Sequence, residues 1–144
     1  MGCCAVTDDV FERRTRRFME VLAILDGLAE TPWERFRSDP EKYGSAERFL
    51  QVAVEILDDL GAHLVARASL GGVEHYRDVP ARLHEASVLT SDQADLWRRM
   101  IGFRNVVVHD YLDVDRAIVF DVLRHRLADL RELHVVLLEE HRRR

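Results

Sequence analysis

The segment from Arg104 to Tyr111 carries side chains that could act on a phosphate ester. They are those of Arg104, Asn105, His109 and Tyr111. The imidazole of His109 suits general base or acid work, because its pKa lies near physiological pH. The guanidinium of Arg104 can hold a phosphate with two parallel N–H donors. RNA supplies its own nucleophile, the 2′-hydroxyl, so this pair could cleave RNA without a metal ion.

The spacing of Arg104 and His109 limits how they could work together. Five positions along an ideal helix separate two residues by about 140° around the axis. One straight helix therefore cannot aim both side chains at the same ligand. Either the last turn distorts, or two copies of the helix face each other across a two-fold axis and share one cleft.

A structural role is the simpler interpretation of these residues taken alone. Arg104 could pair with Glu55 or Asp59 inside a helical bundle, and His109 could lie at a helix end. This interpretation predicts that the motif stabilises the fold and does no chemistry.

Composition narrows the class of protein. The chain has 144 residues, 47% of them hydrophobic and 33% charged, which is typical of a single globular domain. Its net charge of −5 argues against a protein that holds nucleic acid by charge alone. No apolar run reaches the roughly 18 residues that a membrane span needs. The adjacent Cys3 and Cys4 form no disulfide framework, so we expect a cytoplasmic protein.

Helical spacing of apolar residues predicts an all-α fold, an up-and-down four-helix bundle with one or two short extra helices. We expect a flexible leader over residues 1–6 and one domain over 7–144. Thr7 and Asp39 should begin the first two long helices, and boxes at Thr31–Glu34 and Thr90–Gln93 should cap two further starts. Gly71 and Gly72 should end the second long helix, and Asp113 or Asp115 should cap the last, with Ile118 on its inward side. The expected helices span residues 7–30, 39–70, 80–88, 90–111 and 113–140.

At the motif the sequence resembles the HEPN superfamily, and more closely its HepT-like toxin branch. Arg104, His109 and Tyr111 fill the pattern Arg-x4-His-x-Tyr of that branch, and Asn105 is its usual first spacer residue. A second match lies in the preceding long helix, where Glu55, Asp59 and His63 stand at the expected offsets. The resemblance covers residues 10–140.

This resemblance implies a HEPN-type homodimer with a composite cleft and a metal-independent endoribonuclease toxin of a type VII toxin–antitoxin system, acting on tRNA or mRNA. It implies that Arg104 and His109 are catalytic, with Asn105 and the helix carboxylates in support. It also implies an MntA-like nucleotidyltransferase antitoxin that attaches AMP to Tyr111 and can form a larger oligomer with the toxin. The resemblance implies no cofactor, metal or membrane partner.

Two other functions remain open at this point. Related bundles serve as non-catalytic nucleotide- or substrate-binding subunits of nucleotidyltransferases, in which case Arg104 would only hold a phosphate. The protein could also be a purely structural helical dimer whose motif is a network of ion pairs.

Overall fold

The computed structural model describes residues 2–109 and 115–144, with the side chains of residues 9–107 and 115–144. These residues contain no strand, so the all-α prediction is confirmed. The described part of the chain forms seven helices: α1 (Gly2–Ala29), α2 (Trp33–Ser38), α3 (Pro40–Arg67), α4 (Asp78–Glu85), α5 (Ser91–His109), α6 (Arg116–His125) and α7 (Leu127–Arg143).

Helix α3 is the centre of the fold, because it packs against each of the other six helices. Helix α1 also contacts α6 and α7, while α5 also contacts α4 and α7. The side chains that fill the space between them are apolar and fully buried, among them Phe18, Leu22, Leu57, Trp97 and Leu130. Among the described residues, no helix combines the length and the low charge that crossing a membrane requires.

Three predicted helix starts are confirmed in detail. Asp39 Oδ1 accepts the Glu41 backbone N–H at 3.0 Å. Asp115 Oδ1 accepts the Ala117 N–H at 2.8 Å, while Asp113 lies outside the described residues. Thr90 and Gln93 form a reciprocal capping box of 3.1 and 2.9 Å. Each side chain satisfies a donor that has no partner inside its helix.

The first two helices begin differently from the prediction. Helix α1 begins at Gly2, so Thr7 does not cap it, and neither Gly nor Pro interrupts residues 3–6. The flexibility of the leader over residues 1–6 stays a prediction. The Thr31 capping box is wrong: Pro32 is the N-cap of α2 and makes no side-chain cap bond. Thr31 is buried, and its carbonyl accepts a bond from Arg124 at 3.3 Å.

Helix α3 ends before the glycine pair that was expected to stop it. Ser69 takes a left-handed conformation with φ 54°. The Ser69 N–H bonds the Ala66 carbonyl at 3.3 Å, and the Leu70 N–H bonds the Val65 carbonyl at 3.0 Å. These two bonds form a Schellman motif, in which a serine takes the position usually given to glycine. The glycines lie beyond it, in the loop that leads to α4.

The expected single last helix is two helices. At Arg126 the backbone has φ −117° and ψ −1°, which separates α6 from α7. The predicted inward residue Ile118 is 55% exposed, and Val119 is fully buried in its place. With this orientation of α6, the ring centres of Phe120 and Trp33 are 5.2 Å apart. Helix α6 therefore follows the aromatic side chains of α2.

Gly61 sets how closely α3 approaches its neighbours, and this generates a prediction. A Cβ at Gly61 would lie 2.5 Å from Val79 Cγ1 and 2.6 Å from the Trp97 ring. We expect Gly61→Ala to lower the free energy of unfolding by about 1–3 kcal/mol, as overpacked cores do. Urea denaturation measures the change.

Gly44→Ala is the matched control on the same helix, because a Cβ there meets no atom within 4 Å. It should raise the stability by up to about 1 kcal/mol, the difference in helix propensity. Equal effects of the two substitutions would contradict the close packing at Gly61.

Candidate active site

A cleft of about 430 Å³ opens between the α3–α4 loop, residues 68–77, and the second half of α5. Arg104 and Asn105 line it from α5, together with Ile101. The loop contributes the other wall, including Tyr76 and Arg77. The structure therefore places two of the predicted motif residues at one open cavity.

Arg104 lies at the base of the cleft with 16% of its side chain exposed. Its Nη1 is 3.7 Å from Glu55 Oε1, and its Nη2 is 3.9 Å from Asp58 Oδ2. These distances allow charge attraction but exceed those of hydrogen bonds. Within the described residues, Arg104 Nε has no hydrogen-bond partner. The guanidinium is thus held by charge, and its buried Nε lacks a hydrogen-bond partner within the described residues.

Asp58 is the buried carboxylate behind Arg104. It is fully buried, and its Oδ1 accepts a hydrogen bond of 2.9 Å from Trp97 Nε1. Its Oδ2 has no hydrogen-bond partner among the described residues. Burial raises the pKa of Asp58 from 3.8 to about 7, although the Trp97 N–H and the charge of Arg104 favour the carboxylate. A buried, incompletely bonded ionisable group is more typical of functional sites than of structural ion pairs.

Of the two partners predicted for Arg104, Glu55 or Asp59, the structure gives Glu55, and the second carboxylate within 4 Å is Asp58. Asp58 and Asp59 lie three and four residues after Glu55, so both share its side of α3. The rotation of α3 toward α5 turns Asp58 to Arg104, and spacing in the sequence alone does not choose between the two aspartates.

Asp59 is linked to the site by a hydrogen bond from Tyr76, a residue that the sequence analysis did not identify. The Tyr76 hydroxyl donates a hydrogen bond of 3.0 Å to Asp59 Oδ1, and this bond raises the pKa of the phenol. The Arg104 Cζ atom is 5.9 Å from the centre of the Tyr76 ring. Tyr76 belongs to a loop, so no helical periodicity marks it.

The rest of the motif lies at the C-terminal end of α5 and beyond it. His109 is the last residue of α5, which runs unbroken from Arg104, but its side chain is outside the described set. Tyr111 lies outside the described residues altogether. Across the described side chains, no group of three or more His, Cys, Asp or Glu could hold one metal ion.

The raised pKa of Asp58 predicts a pH-dependent stability. Its folded state binds the proton more tightly than the unfolded chain, so stability should fall as pH rises from about 4 to about 7. Each pKa unit corresponds to about 1.4 kcal/mol. Asp58→Asn should remove this loss, a difference of a few kcal/mol between pH 4.5 and pH 7.5 in urea denaturation.

His134 acts in the opposite direction, because burial lowers its pKa to about 4. Its contribution cancels when the variant is compared with the wild type at each pH. Asp95→Asn, an exposed carboxylate on α5, serves as control. A pH dependence left intact in Asp58→Asn would show that Asp58 has an ordinary pKa.

The sequence model of the HepT-like ribonuclease family matches residues 16–136. The matched region contains Arg104, His109 and Tyr111, and also the acidic residues of α3. The mRNA nuclease HepT of Shewanella oneidensis is 29% identical over 106 residues, covering 74% of this chain and 80% of that protein.

Solved structures share the architecture. A tri-AMPylated HEPN toxin of Shewanella oneidensis, in complex with an MNT antitoxin, superposes with a TM-score of 0.84 at 24% identity, covering 91% of this chain and 98% of that one. The cytosolic protein YutE of Bacillus subtilis gives a TM-score of 0.78 at 18% identity, over 92% and 88%. Because the family match spans most of the residues and the fold agrees, this chain belongs to the HepT-like ribonuclease family and has the HEPN fold.

Proposed function

We propose that this protein is a metal-independent endoribonuclease toxin of a type VII toxin–antitoxin system, in which Arg104 and His109 carry out cleavage. The observation that carries the proposal is the position of Arg104: its incompletely bonded guanidinium lines an open cleft inside the region that matches a ribonuclease family. A purely structural arginine would have its donors satisfied by the protein.

The reaction requires a base, a cation and an acid. His109 removes the proton of the 2′-hydroxyl, and the resulting oxygen attacks the adjacent phosphorus. The bond from phosphorus to O2′ forms while the bond to O5′ breaks, and O5′ takes a proton from the acid. Arg104 stabilises the charge on the phosphoryl oxygens. The products are a 2′,3′-cyclic phosphate and a 5′-hydroxyl.

The continuity of α5 favours two copies at one active site. Because the helix is unbroken through His109, positions 104 and 109 stay about 140° apart around its axis. A homodimer would bring Arg104 of one copy and His109 of the other to a shared phosphate.

The relatives suggest how such an activity is controlled. The HEPN toxin from Shewanella oneidensis was solved as an AMPylated protein with its MNT antitoxin. We expect this chain to have a nucleotidyltransferase antitoxin of that type, which transfers AMP to Tyr111. AMP adds negative charge and bulk two residues from His109, where an RNA phosphate must lie. Modification would therefore block RNA binding.

Cleavage of RNA by purified variants tests the catalytic assignment. The protein, produced without antitoxin, is incubated with tRNA and mRNA in EDTA, and the new ends are mapped. We expect His109→Ala and Arg104→Ala to lose cleavage by roughly 100-fold or more, the usual contribution of acid–base and charge-stabilising groups. Wild-type products should end in 2′,3′-cyclic phosphates.

Arg99→Ala is the matched control, since Arg99 is an exposed arginine on the same helix. It should cleave like the wild type. Undiminished cleavage by His109→Ala would refute the mechanism. Nucleotide binding without cleavage by any protein, with Tyr111 unmodified by intact mass, would support a non-catalytic binding subunit instead.

Neutralisation by the antitoxin tests the role of Tyr111. Tyr111→Phe should keep its ribonuclease activity, because the hydroxyl takes no part in cleavage, but it should escape neutralisation by an MNT-type antitoxin with ATP. Intact mass should show added AMP on the wild type alone. Neutralisation of Tyr111→Phe to the same extent would place the control elsewhere.

A further inference from the structure

The wall of the cleft opposite α5 presents an aromatic ring beside Arg104. Tyr76 is 41% exposed, more than any other Phe, Trp or Tyr side chain among the described residues. Its ring centre is 5.9 Å from Arg104 Cζ, and both side chains line the same cavity. The neighbouring His75 and Arg77 are exposed on the same wall. An aromatic surface next to basic groups is the combination with which proteins hold single-stranded nucleic acid.

The hydroxyl of Tyr76 is already bonded within the protein. The bond of 3.0 Å to Asp59 ties Tyr76 to α3 and satisfies the only polar atom of its side chain. The hydroxyl is therefore engaged with the protein, while the flat face of the ring can stack. A ring that stacks recognises the face of a base and not its hydrogen-bonding edge.

The loop that carries Tyr76 is itself held by side chains of α4. The Asp78 carboxylate accepts the backbone N–H groups of Glu74 and His75, both at 3.1 Å, and these bonds lower the pKa of Asp78. Arg82 Nε donates to the Gly72 carbonyl at 3.1 Å. The contacts fix the backbone immediately before Tyr76.

Gly71 shows that the path of this loop is specific. Its φ is 121°, a conformation that favours glycine, and a Cβ there would lie 3.0 Å from Arg82 Nε. The loop thus depends on a glycine at one end and on the Asp78 carboxylate at the other. Its conformation presents Tyr76 to the cleft.

We propose that Tyr76 stacks against the base of the nucleotide that adjoins the cleaved phosphate, so that the cleft is a nucleoside subsite for single-stranded RNA. This inference rests on the proposed function, because it takes Arg104 as the group that holds the phosphate. The volume of about 430 Å³ lies within the range of small-ligand sites. A base paired in an A-form helix cannot reach the ring, whereas an unstacked base can.

Stacking makes a specific kinetic prediction. A contact remote from the reacting atoms binds substrate and transition state alike, so its loss raises KM and leaves kcat nearly unchanged. Tyr76→Ala should raise KM for a short single-stranded RNA roughly 5- to 150-fold, as loss of one base–aromatic stack does. Tyr76→Phe keeps the ring without the hydroxyl and should retain most of the wild-type affinity.

Tyr43→Ala is the matched control. The Tyr43 ring also lies beneath an arginine, with Arg116 Cζ 3.8 Å from its centre. It stands 15 residues before Asp58 on α3, about 22 Å along the helix axis. Its substitution should leave KM unchanged. Tyr76→Leu, which keeps apolar bulk but has no aromatic face, replaces Tyr76→Ala if thermal melting shows that the alanine variant is unfolded.

The outcomes separate this inference from the proposed function. A wild-type KM in a folded Tyr76→Ala or Tyr76→Leu overturns the subsite and leaves the ribonuclease assignment intact. Tyr76→Phe as defective as Tyr76→Ala shows that the aromatic ring alone does not hold the base, which also overturns it. Equal cleavage of duplex and single-stranded RNA does the same. Absence of cleavage by the wild type rejects the ribonuclease assignment, and the inference with it.

Discussion

The hydrogen bond from Trp97 to Asp58 joins the two helices that form the site. It places a carboxylate in the core between α3 and α5, where an ion is costly to bury. Because Gly61 lets the Trp97 ring lie against α3, the two helices meet closely and in one register. The positions of Arg104 and Asn105 on α5 follow from that register. The cost of burying Asp58 is only partly compensated, since Arg104 approaches it no closer than 3.9 Å.

The sequence predicts the helices of this fold well, because their signals are local. Asp39, Asp115 and the box at Thr90 bond backbone groups two or three residues away, so the spacing of residues alone identifies them. The break at Arg126 has no such local signal. It follows from contacts of α6 with α2, which lie far apart in the chain. Ser69 likewise adopts a left-handed conformation, which sequence rules normally assign to glycine.

The sequence predicts those residues of the site that follow from a motif or from spacing along a helix. Arg104 and Glu55 could be named from the motif and its counterpart on α3, and they lie within charge range. Asp58 stands on the same face as Glu55, yet the choice between two adjacent aspartates depends on how α3 is rotated toward α5. No sequence pattern identifies Tyr76, because it lies in a loop. Its position depends on tertiary contacts: the bond of its hydroxyl to Asp59, and the bond from Arg82 to the Gly72 carbonyl that holds the loop.

The carboxylates beside Arg104 also affect which anions the protein can select. With Glu55 Oε1 and Asp58 Oδ2 3.7 and 3.9 Å away, part of the arginine's charge is already neutralised. Inorganic phosphate and free nucleotides, which are abundant in a cell, must compete with these internal anions and gain little from one contact. A polymer that adds further contacts on the opposite wall gains more. In the proposed ribonuclease, internal competition of this kind would disfavour saturation by metabolites and favour a long strand that makes several contacts.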